Sequence, residues 1–305
     1  MIAVKVHNIK KTFKTEKSIV TALEDISFEV NRGEVFGLIG PDGAGKTTLF
    51  RILTTLMIAD AGDAWVDGFE VVNKYKEIRK RVGYMPGRFS LYQDLTVEEN
   101  LAFFATLFNT TLEENYDLIK TIYQQIEPFK KRRAGALSGG MKQKLALSCA
   151  LIHRPSVLFL DEPTTGVDAV SRKEFWELLR QLQIHGITII VSTPYMDEAS
   201  LCDRVALMQE GRIMQINSPR GITESFKKPL WSVRSGNMYQ LMLDILALDA
   251  IDTCYPFGQY HHVVFKDETY SLENAKQILS TISSDLEVKQ IPATIEDCFM
   301  ELMRK

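Results

Sequence analysis

Short apolar runs alternate with longer segments of helical spacing along much of the chain. Residues 35–39, 157–160 and 188–191 are continuous or nearly continuous apolar stretches, as long as buried strands usually are. Between the last two runs, apolar side chains recur at the three- and four-residue spacing of a helix. Strands that alternate with helices predict an α/β fold with a largely parallel central sheet.

Other segments show different patterns. Residues 3–7 and 26–30 alternate apolar and polar side chains, which predicts half-exposed antiparallel strands near the N-terminus. Residues 95–152 are mostly helical in pattern, with turn residues around 130–140. Residues 204–216 read as a hairpin that turns at Glu210-Gly211. The first domain is therefore predicted to hold a mixed sheet, an antiparallel β subdomain and a helical subdomain over about residues 88–150.

A change of composition at residues 218–229, which contain proline, glycine and paired lysines, predicts a domain boundary near residue 228. Beyond this boundary the pattern predicts, in order, a strand, a helix, two strands, a helix and a strand, followed by a last helix over 295–304. This order predicts a small α+β domain over 229–305, compatible with a split βαβ, ferredoxin-like sandwich. The first domain then spans residues 1–228.

Composition and charge narrow the possible classes. The chain has 305 residues, 45% hydrophobic and 25% charged, with a net charge of −3, which argues against a protein that binds nucleic acid by bulk electrostatics. Its four scattered cysteines indicate reduced thiols rather than a disulfide framework. No apolar run is long enough to cross a bilayer, and residues 1–5 lack the features of a signal peptide. Any role at a membrane would require docking onto another subunit.

The strongest motif follows the apolar run at 35–39 and precedes a helical pattern that includes Leu49, Leu53 and Leu56. It fits the phosphate-binding pattern G-x-x-x-x-G-K-[ST] in its strand–loop–helix context. Lys46 is expected to contact the β- and γ-phosphates and Thr47 to offer its hydroxyl to Mg²⁺, while glycines let backbone amides approach phosphate oxygens. The alternative is a glycine-rich turn that binds nothing. The nine positions are Gly40, Pro41, Asp42, Gly43, Ala44, Gly45, Lys46, Thr47 and Thr48.

Two further motifs add to this site. Ser138 can cap a helix whose glycine-rich N-terminus presents bare amides to an anion. After the apolar run at 157–160, Asp161 can hold Mg²⁺ through its water shell and Glu162 can polarise an attacking water. An isolated Asp-Glu pair would more often be a solvated turn, but here it is followed by a loop that ends in Asp168. The helix-start motif consists of Leu137, Ser138, Gly139, Gly140 and Met141.

These motifs, in this order and spacing, resemble the ATPase subunits of ABC transporters over about residues 1–225. Residues 291–299 resemble the C-terminal tail of the daunorubicin-resistance-type (ABC-2) exporter subfamily. The resemblance implies a head-to-tail dimer in which ATP and Mg²⁺ lie between one subunit's phosphate loop and the other's Ser138 motif, with Asp168 in the dimer-contacting D loop. It also implies that Phe13 stacks on adenine, the alternative being an aromatic residue at a strand edge. The protein is then expected in the cytoplasm, on the inner face of the cell membrane, bound to an ABC-2 type permease.

Two positions depart from the family pattern. The family has glutamine where this chain has Gly87, and histidine where it has Pro194. Because both side chains contact the reacting groups in the family, their replacement predicts ATP binding with slow hydrolysis at this chain's own site. The intact Ser138 motif favours a heterodimer with a second, complete ATPase subunit, and a homodimer with slow hydrolysis stays open.

The same resemblance places residues 88–92 in a groove that receives a permease segment, with Phe89, Leu91 and Tyr92 as its apolar anchors. The alternative is that these side chains only pack a hinge between subdomains. Two other functions are possible alternatives. ABC proteins that act on ribosomes or DNA usually carry a second fused ATPase domain, a long coiled-coil insertion or a basic linker, and the sequence has none of these. The other alternative is a nucleotide-binding regulatory subunit without useful turnover. Adjacent His261 and His262 are predicted to face opposite sides of a strand rather than to bind a metal.

Overall fold

The structure, a computed structural model, describes residues 1–14, 18–267, 269–282 and 285–304. The chain divides into two compact units, Met1–Pro219 and Arg220–Lys305. The strands of the first unit are β1 Ile2–Lys14, β2 Ile19–Asn31, β3 Val35–Ile39, β4 Ala61–Val66, β5 Phe69–Glu70, β6 Val82–Met85, β7 Val157–Asp161, β8 Thr188–Thr193, β9 Arg204–Gln209 and β10 Arg212–Asn217. Its helices are α1 Lys46–Leu53, α2 Tyr75–Arg79, α3 Val97–Leu107, α4 Tyr116–Tyr123, α5 Gly139–Leu151 and α6 Ala169–Ile184, and α7 Pro219–Ser225 spans the division.

The central sheet has the strand order β10-β9-β3-β8-β7-β6. From β9 to β6 neighbouring strands are parallel, and only the β9–β10 hairpin is antiparallel. Every position of β3, β7 and β8 is buried. Strands enclosed on both faces read as continuous apolar runs, which is why the three short runs in the sequence predict them correctly.

A second sheet, in the order β2-β1-β4-β5, is antiparallel as the alternation near the N-terminus predicts. A shared apolar core joins this sheet to the central one. In that core Phe28 stacks on Phe36 of β3, with ring centroids 5.3 Å apart. Phe50 of α1 meets Phe159 of β7 edge to face at 5.4 Å. Helix α1, which follows the phosphate loop, is therefore fixed to the strand that ends in the acidic pair.

The helical segment between β6 and β7 contains α3, α4 and α5, in the region the sequence predicts as helical. Thr96 and Glu99 form a reciprocal capping box at the start of α3. Asn100 is fully buried, and its amide donates to the carbonyls of Tyr92, Leu95 and Thr96. These bonds fix the loop that leads from β6 into the helical subdomain.

Helix α1 is shorter than the sequence pattern predicts. It ends at Leu53, and Leu56 lies outside it with 59% of its surface exposed. Thr55 adopts a left-handed backbone with φ of 64°, a conformation that cannot continue a right-handed helix. The apolar spacing of Leu56 therefore does not extend the helix.

The second unit contains β11 Leu230–Arg234, α8 Met238–Leu246, β12 Ile251–Phe257, β13 Tyr260–Phe265, α9 Leu272–Leu279, β14 Glu287–Ile291 and α10 Ile295–Leu302. Its antiparallel sheet has the order β12-β13-β11-β14. Strand, helix, strand, strand, helix, strand is the element order of a split βαβ sandwich, as the pattern predicts. The sheet packs on α8 and α9 around buried Trp231.

The division between units lies after Pro219 rather than near residue 228. The reason is tertiary: Ile222 of α7 is fully buried, and its carbonyl accepts a hydrogen bond from the Cys298 thiol of α10 at 3.4 Å. Residues 220–228 therefore pack with the C-terminal unit, although their composition resembles that of a linker.

Candidate functional site

The parallel register brings four loops to one edge of the central sheet. Strands β3, β6, β7 and β8 run in the same direction, and β7 pairs with β8 so that Asp161 lies beside Ser192. The carboxyl ends of these strands lead into the phosphate loop, the Gly87 segment, the Asp161-Glu162 turn and the Pro194 turn. This edge is where open parallel sheets bind ligands.

The phosphate loop is tightly enclosed by backbone. A Cβ added at Gly40 would fall 2.1 Å from the Met208 carbonyl oxygen, and one at Gly45 would fall 2.4 Å from that of Ala22. Gly45 also has a φ of 101°, which side chains other than hydrogen rarely allow. Within the described part of the chain, no side chain caps the first amides of α1, so these amides are available to an anion.

Lys46 is buried in the loop, with 3% of its surface exposed. Its ammonium donates to the carbonyls of Gly40 at 2.8 Å and Pro41 at 2.9 Å, and lies 3.5 Å from Glu162 Oε1. The loop curls around this charge, and Lys46 has a negatively charged neighbour across the site. A triphosphate that contacts Lys46 would therefore also lie close to Glu162.

Thr47 and Asp161 bring two oxygen ligands together at the phosphate loop. The Thr47 hydroxyl donates to Asp161 Oδ1 at 3.1 Å, although the two residues are 114 positions apart. Hydroxyl and carboxylate oxygens are hard ligands of the kind Mg²⁺ prefers. The residues present therefore fit the ion that the sequence predicts here.

Glu162 sits directly after β7 in a left-handed backbone conformation, with φ of 50°. Its amide donates to both the carbonyl and the hydroxyl oxygen of Ser192, at 3.0 and 3.1 Å. Its side chain is 24% exposed, beside the Lys46 ammonium. This placement leaves the carboxylate partly open to solvent and next to the Lys46 ammonium.

The two departures from the family pattern both border this site. A Cβ at Gly87 would lie 3.1 Å from the Asp161 carbonyl oxygen and 3.8 Å from the Glu162 Cβ. Pro194 directly follows Thr193, whose carbonyl accepts from the Gly40 amide at 3.2 Å. Side-chain donors at these positions would stand next to the acidic pair and the phosphate loop, and the chain has none there.

The Ser138 motif begins α5, and its side chain accepts from the Met141 amide at 3.4 Å. Ser138 and Gly139 are exposed, so the helix start faces outward. A Cβ at Gly140 would lie 2.9 Å from the Ser171 hydroxyl. Asp168 caps α6 by accepting from the amides of Val170 and Ser171, and the Ser171 amide holds the pKa of Asp168 below its usual range. The Ser138 motif and the predicted D loop at Asp168 are thus neighbours on one exposed surface.

Phe13 lies near the end of β1, opposite Val20 of β2, with 38% of its surface exposed. Ala22, two residues further along β2, contacts the Gly45 position through its carbonyl. Phe13 is therefore on the strand pair that borders the phosphate loop. Stacking of its ring on adenine remains a prediction.

A cleft of about 570 Å³ opens between the end of β6 and helices α3 and α5. Leu91 lines it, whereas Phe89 packs under the Lys142 ammonium and Tyr92 packs edge to face on Phe103. Of the three predicted anchors, only Leu91 lines the cleft itself. Burial and the nearby Asp161 charge raise the pKa of Tyr84, in the cleft wall, to about 12.

The adjacent histidines of the second unit have different hydrogen-bond partners. Asp297 is fully buried, and its Oδ1 accepts from the Tyr255 hydroxyl at 2.6 Å and bonds to His262 Nδ1 at the same distance. His261 instead bonds to the Met238 carbonyl at 2.7 Å. Across the described ranges, no group of three or more metal-ligating side chains occurs, and no helix is long and apolar enough to cross a membrane.

Ser192 belongs to none of the sequence motifs, yet it bonds to both Asp161 and Glu162. β8 carries three hydroxyl side chains, Thr188, Ser192 and Thr193, so a hydroxyl on this strand does not by itself single out Ser192. Glu198 likewise has no role predicted from the sequence; it is 1% exposed, accepts from the Thr164 hydroxyl at 2.7 Å and lies 3.7 Å from Arg172. This cluster connects the Pro194 turn to the loop that follows the acidic pair.

Comparison with known proteins gives consistent matches. The family profile described as "ABC transporter" matches residues 23–165. The chain is 44% identical over 206 residues to "Probable multidrug ABC transporter ATP-binding protein YbhF" of Escherichia coli, covering 67% of this chain but only 36% of that protein. It is 34% identical over 288 residues to "Nod factor export ATP-binding protein I" of Burkholderia pseudomallei, covering 92% of this chain and 91% of that protein.

A solved structure gives a similar result. The ATP-binding cassette MJ0796, in a dimeric post-hydrolysis state bound to ADP and Pi, superposes with a TM-score of 0.64 at 25% identity, over 70% of this chain and 98% of that one. Of the two relatives found by sequence, the chain spans about a third of the length of the multidrug transporter protein and nearly all of the length of the Nod factor export protein.

Proposed function

Because this chain belongs to the family of ABC transporter ATP-binding proteins, we propose that it is the ATP-binding subunit of an ABC-2 type membrane exporter. The observation that carries the proposal is the convergence of Lys46, Thr47, Asp161 and Glu162 at one sheet edge. The name of one relative, a Nod factor export ATP-binding protein, supports export, and the name of another, a probable multidrug ABC transporter ATP-binding protein, supports transport.

In this proposal the chain's own residues divide the work at the nucleotide. The α1 amides and Lys46 hold the β- and γ-phosphates, and Phe13 stacks on adenine. Thr47 and Asp161 hold Mg²⁺, which neutralises phosphate charge when bound. Glu162 orients and polarises the attacking water. The Ser138 helix start, which faces outward, contacts the γ-phosphate of an ATP held by a second subunit, with Asp168 beside it.

We further propose that this chain's own site hydrolyses ATP slowly and that its physiological partner is a second, complete ATPase subunit. Gly87 and Pro194 remove two side-chain donors beside the acidic pair, and one lost donor to developing charge typically costs about 10²–10³ in rate. The exposed Ser138 motif is complete. A homodimer with slow hydrolysis is the alternative assembly.

The cleft between β6, α3 and α5 is the proposed docking site for a permease segment on the cytoplasmic face of the membrane. Leu91, Phe104 and Leu107 give it apolar walls, and Met85, which also lines it, pairs with Leu160 directly before Asp161. A segment seated there would lie close to the nucleotide site. Nucleotide-driven changes could then be transmitted to the membrane partner.

A second candidate function is a nucleotide-binding regulatory subunit without useful turnover. Gly87 and Pro194 favour it, whereas the retained Glu162 beside Lys46 favours hydrolysis. The two are separated by the rate of phosphate release with and without a partner.

The test uses the full chain, purified alone and co-expressed with candidate ATPase and permease subunits. We expect ATP binding by the chain alone with little phosphate release, and faster release in the complex that depends on Ser138. Glu162→Gln in this chain should change the rate of the complex little if the partner's site does most of the hydrolysis. Turnover by the chain alone as fast as that of an intact family member would contradict the impaired-site proposal.

A further inference from the structure

Ser192 stands at the centre of the hydrogen bonds that shape the acidic turn. It is fully buried near the end of β8, directly opposite Asp161 in the parallel register. Its hydroxyl donates to Asp161 Oδ1 at 2.6 Å and accepts from the Glu162 amide at 3.1 Å. We propose that Ser192 is a positioning residue for magnesium binding, acting through Asp161 and Glu162.

The proton arrangement on Ser192 is determined by its partners. An ionised carboxylate only accepts hydrogen bonds and a backbone amide only donates them. The serine hydrogen therefore points to Asp161, and an oxygen lone pair receives the Glu162 amide. One hydroxyl thus links the side chain of the first acidic residue to the backbone of the second.

At one end of this link, Ser192 holds the backbone of Glu162 in an unusual conformation. Glu162 has a φ of 50°, a conformation that costs energy for any residue except glycine and persists where the surroundings enforce it. The Ser192 carbonyl also accepts from the Glu162 amide, at 3.0 Å, so both oxygens of Ser192 hold this amide. The Glu162 side chain consequently leaves the turn in a fixed direction, toward Lys46.

Asp161 is held from two sides through the same oxygen. Its Oδ1 accepts from Thr47 at 3.1 Å and from Ser192 at 2.6 Å. The shorter bond comes from the residue that is not expected to touch the ion. A Thr47 hydroxyl that binds a metal through an oxygen lone pair still has its hydrogen to donate to Asp161, so Thr47 and Ser192 align the carboxylate together, and Ser192 makes the shorter bond. Groups that orient metal-holding carboxylates in this way typically contribute about 10–100-fold to metal affinity.

The inference rests on the proposed function, because it assumes that Mg²⁺–ATP binds at this edge. A purely structural role makes a different prediction. A buried hydroxyl on a strand contributes to folding wherever it lies, and its loss would lower stability without changing the response to magnesium. The two roles are separated by a matched variant on the same strand.

Thr188 provides that control. It is 1% exposed at the start of β8, and its hydroxyl accepts from the Gly33 amide at 3.0 Å, away from the acidic pair. Thr188→Val removes a buried hydroxyl at nearly constant volume. Ser192→Ala removes the hydroxyl at the site, and Ser192→Thr keeps it.

The experiment measures binding of a fluorescent ATP analogue to the purified chain at graded Mg²⁺ concentrations and in EDTA, together with thermal unfolding. We expect Ser192→Ala to raise the Mg²⁺ concentration for half-maximal enhancement of binding about tenfold or more, with binding in EDTA nearly unchanged. Ser192→Thr should bring the half-maximal Mg²⁺ concentration most of the way back to that of the unmodified chain. Thr188→Val should shift only the unfolding temperature.

A Ser192→Ala chain that unfolds at lower temperature, as Thr188→Val does, but keeps its Mg²⁺ midpoint would overturn the inference. Should Ser192→Ala not fold, Ser192→Cys carries the same test, because a thiol donates more weakly than a hydroxyl. Absence of any nucleotide binding by the unmodified chain would instead refute the proposed function.

Discussion

Supplying both missing donors tests whether Gly87 and Pro194 are the cause of slow hydrolysis. The perturbation is the double substitution Gly87→Gln, Pro194→His in the full chain. Residue 87 borders the acidic pair and residue 194 borders the phosphate loop, so the new side chains would reach the reacting groups. We expect the purified double variant to hydrolyse ATP faster than the unmodified chain, with similar ATP affinity, because the ground-state contacts of Lys46 and Thr47 are unchanged.

The size of the gain follows from the structure. One preorganised donor is typically worth about 10²–10³ in rate, but two donors to one transition state do not simply multiply. A Cβ at residue 87 would lie 3.1 Å from the Asp161 carbonyl oxygen, so the segment must shift by a few tenths of an ångström. This strain opposes part of the benefit. We therefore expect an increase of about 10²-fold.

The assay is steady-state phosphate release at saturating Mg²⁺–ATP, with ATP affinity measured in parallel. Gly87→Ala adds the Cβ without the amide, and Pro194→Ala restores a backbone N–H without the imidazole, so neither single variant should gain much. A double variant that folds and binds ATP normally yet hydrolyses no faster would refute the assignment of the defect to these two positions.

Two further expectations follow from the described contacts. Phe13→Ala should weaken ATP binding, measured by calorimetry, by about 1–3 kcal/mol, because stacking one base on an aromatic ring contributes that much. The control is Ile19→Ala, which changes an exposed side chain on the adjacent strand and should leave ATP affinity unchanged. Burial alone would raise the pKa of Asp297, but hydrogen bonds, that from His262 first, hold it at about 2. Because the folded pKa is below the unfolded one, this contribution to stability is complete above about pH 4 and is lost as the pH falls toward 2. Asp297→Asn should lower the free energy of unfolding by about 3 kcal/mol at neutral pH and flatten that acid dependence, while exposed Asp249→Asn should do neither, as followed by urea unfolding at several pH values.

The parts of the fold that are readable from sequence are those set by local period and motif. Continuous apolar runs predict β3, β7 and β8 because strands enclosed on both faces need apolar side chains throughout. The order of the motifs predicts which loops meet, since parallel strands end at one edge. The end of α1 was not predictable from apolar spacing, because the left-handed backbone of Thr55 stops the helix before Leu56.

The remaining features depend on partners distant in sequence. The division after Pro219 follows from the burial of Ile222 beneath Cys298, a contact that no local pattern announces. The role of Ser192 depends on the register that places it opposite Asp161. A strand pattern indicates which residues are buried, but it does not fix which residue of the neighbouring strand each one faces.

Calorimetric titration of the purified chain with Mg²⁺–ATP is the most direct test of the central claim that Lys46 and its loop bind a triphosphate. Lys46→Ala removes the ammonium that the loop carbonyls enclose, and exposed Lys74→Ala is the matched loss of a lysine elsewhere. We predict ATP uptake by the unmodified chain and by Lys74→Ala, with a loss of at least about tenfold in affinity for Lys46→Ala. No uptake by the folded chain, or equal uptake by Lys46→Ala, would contradict it.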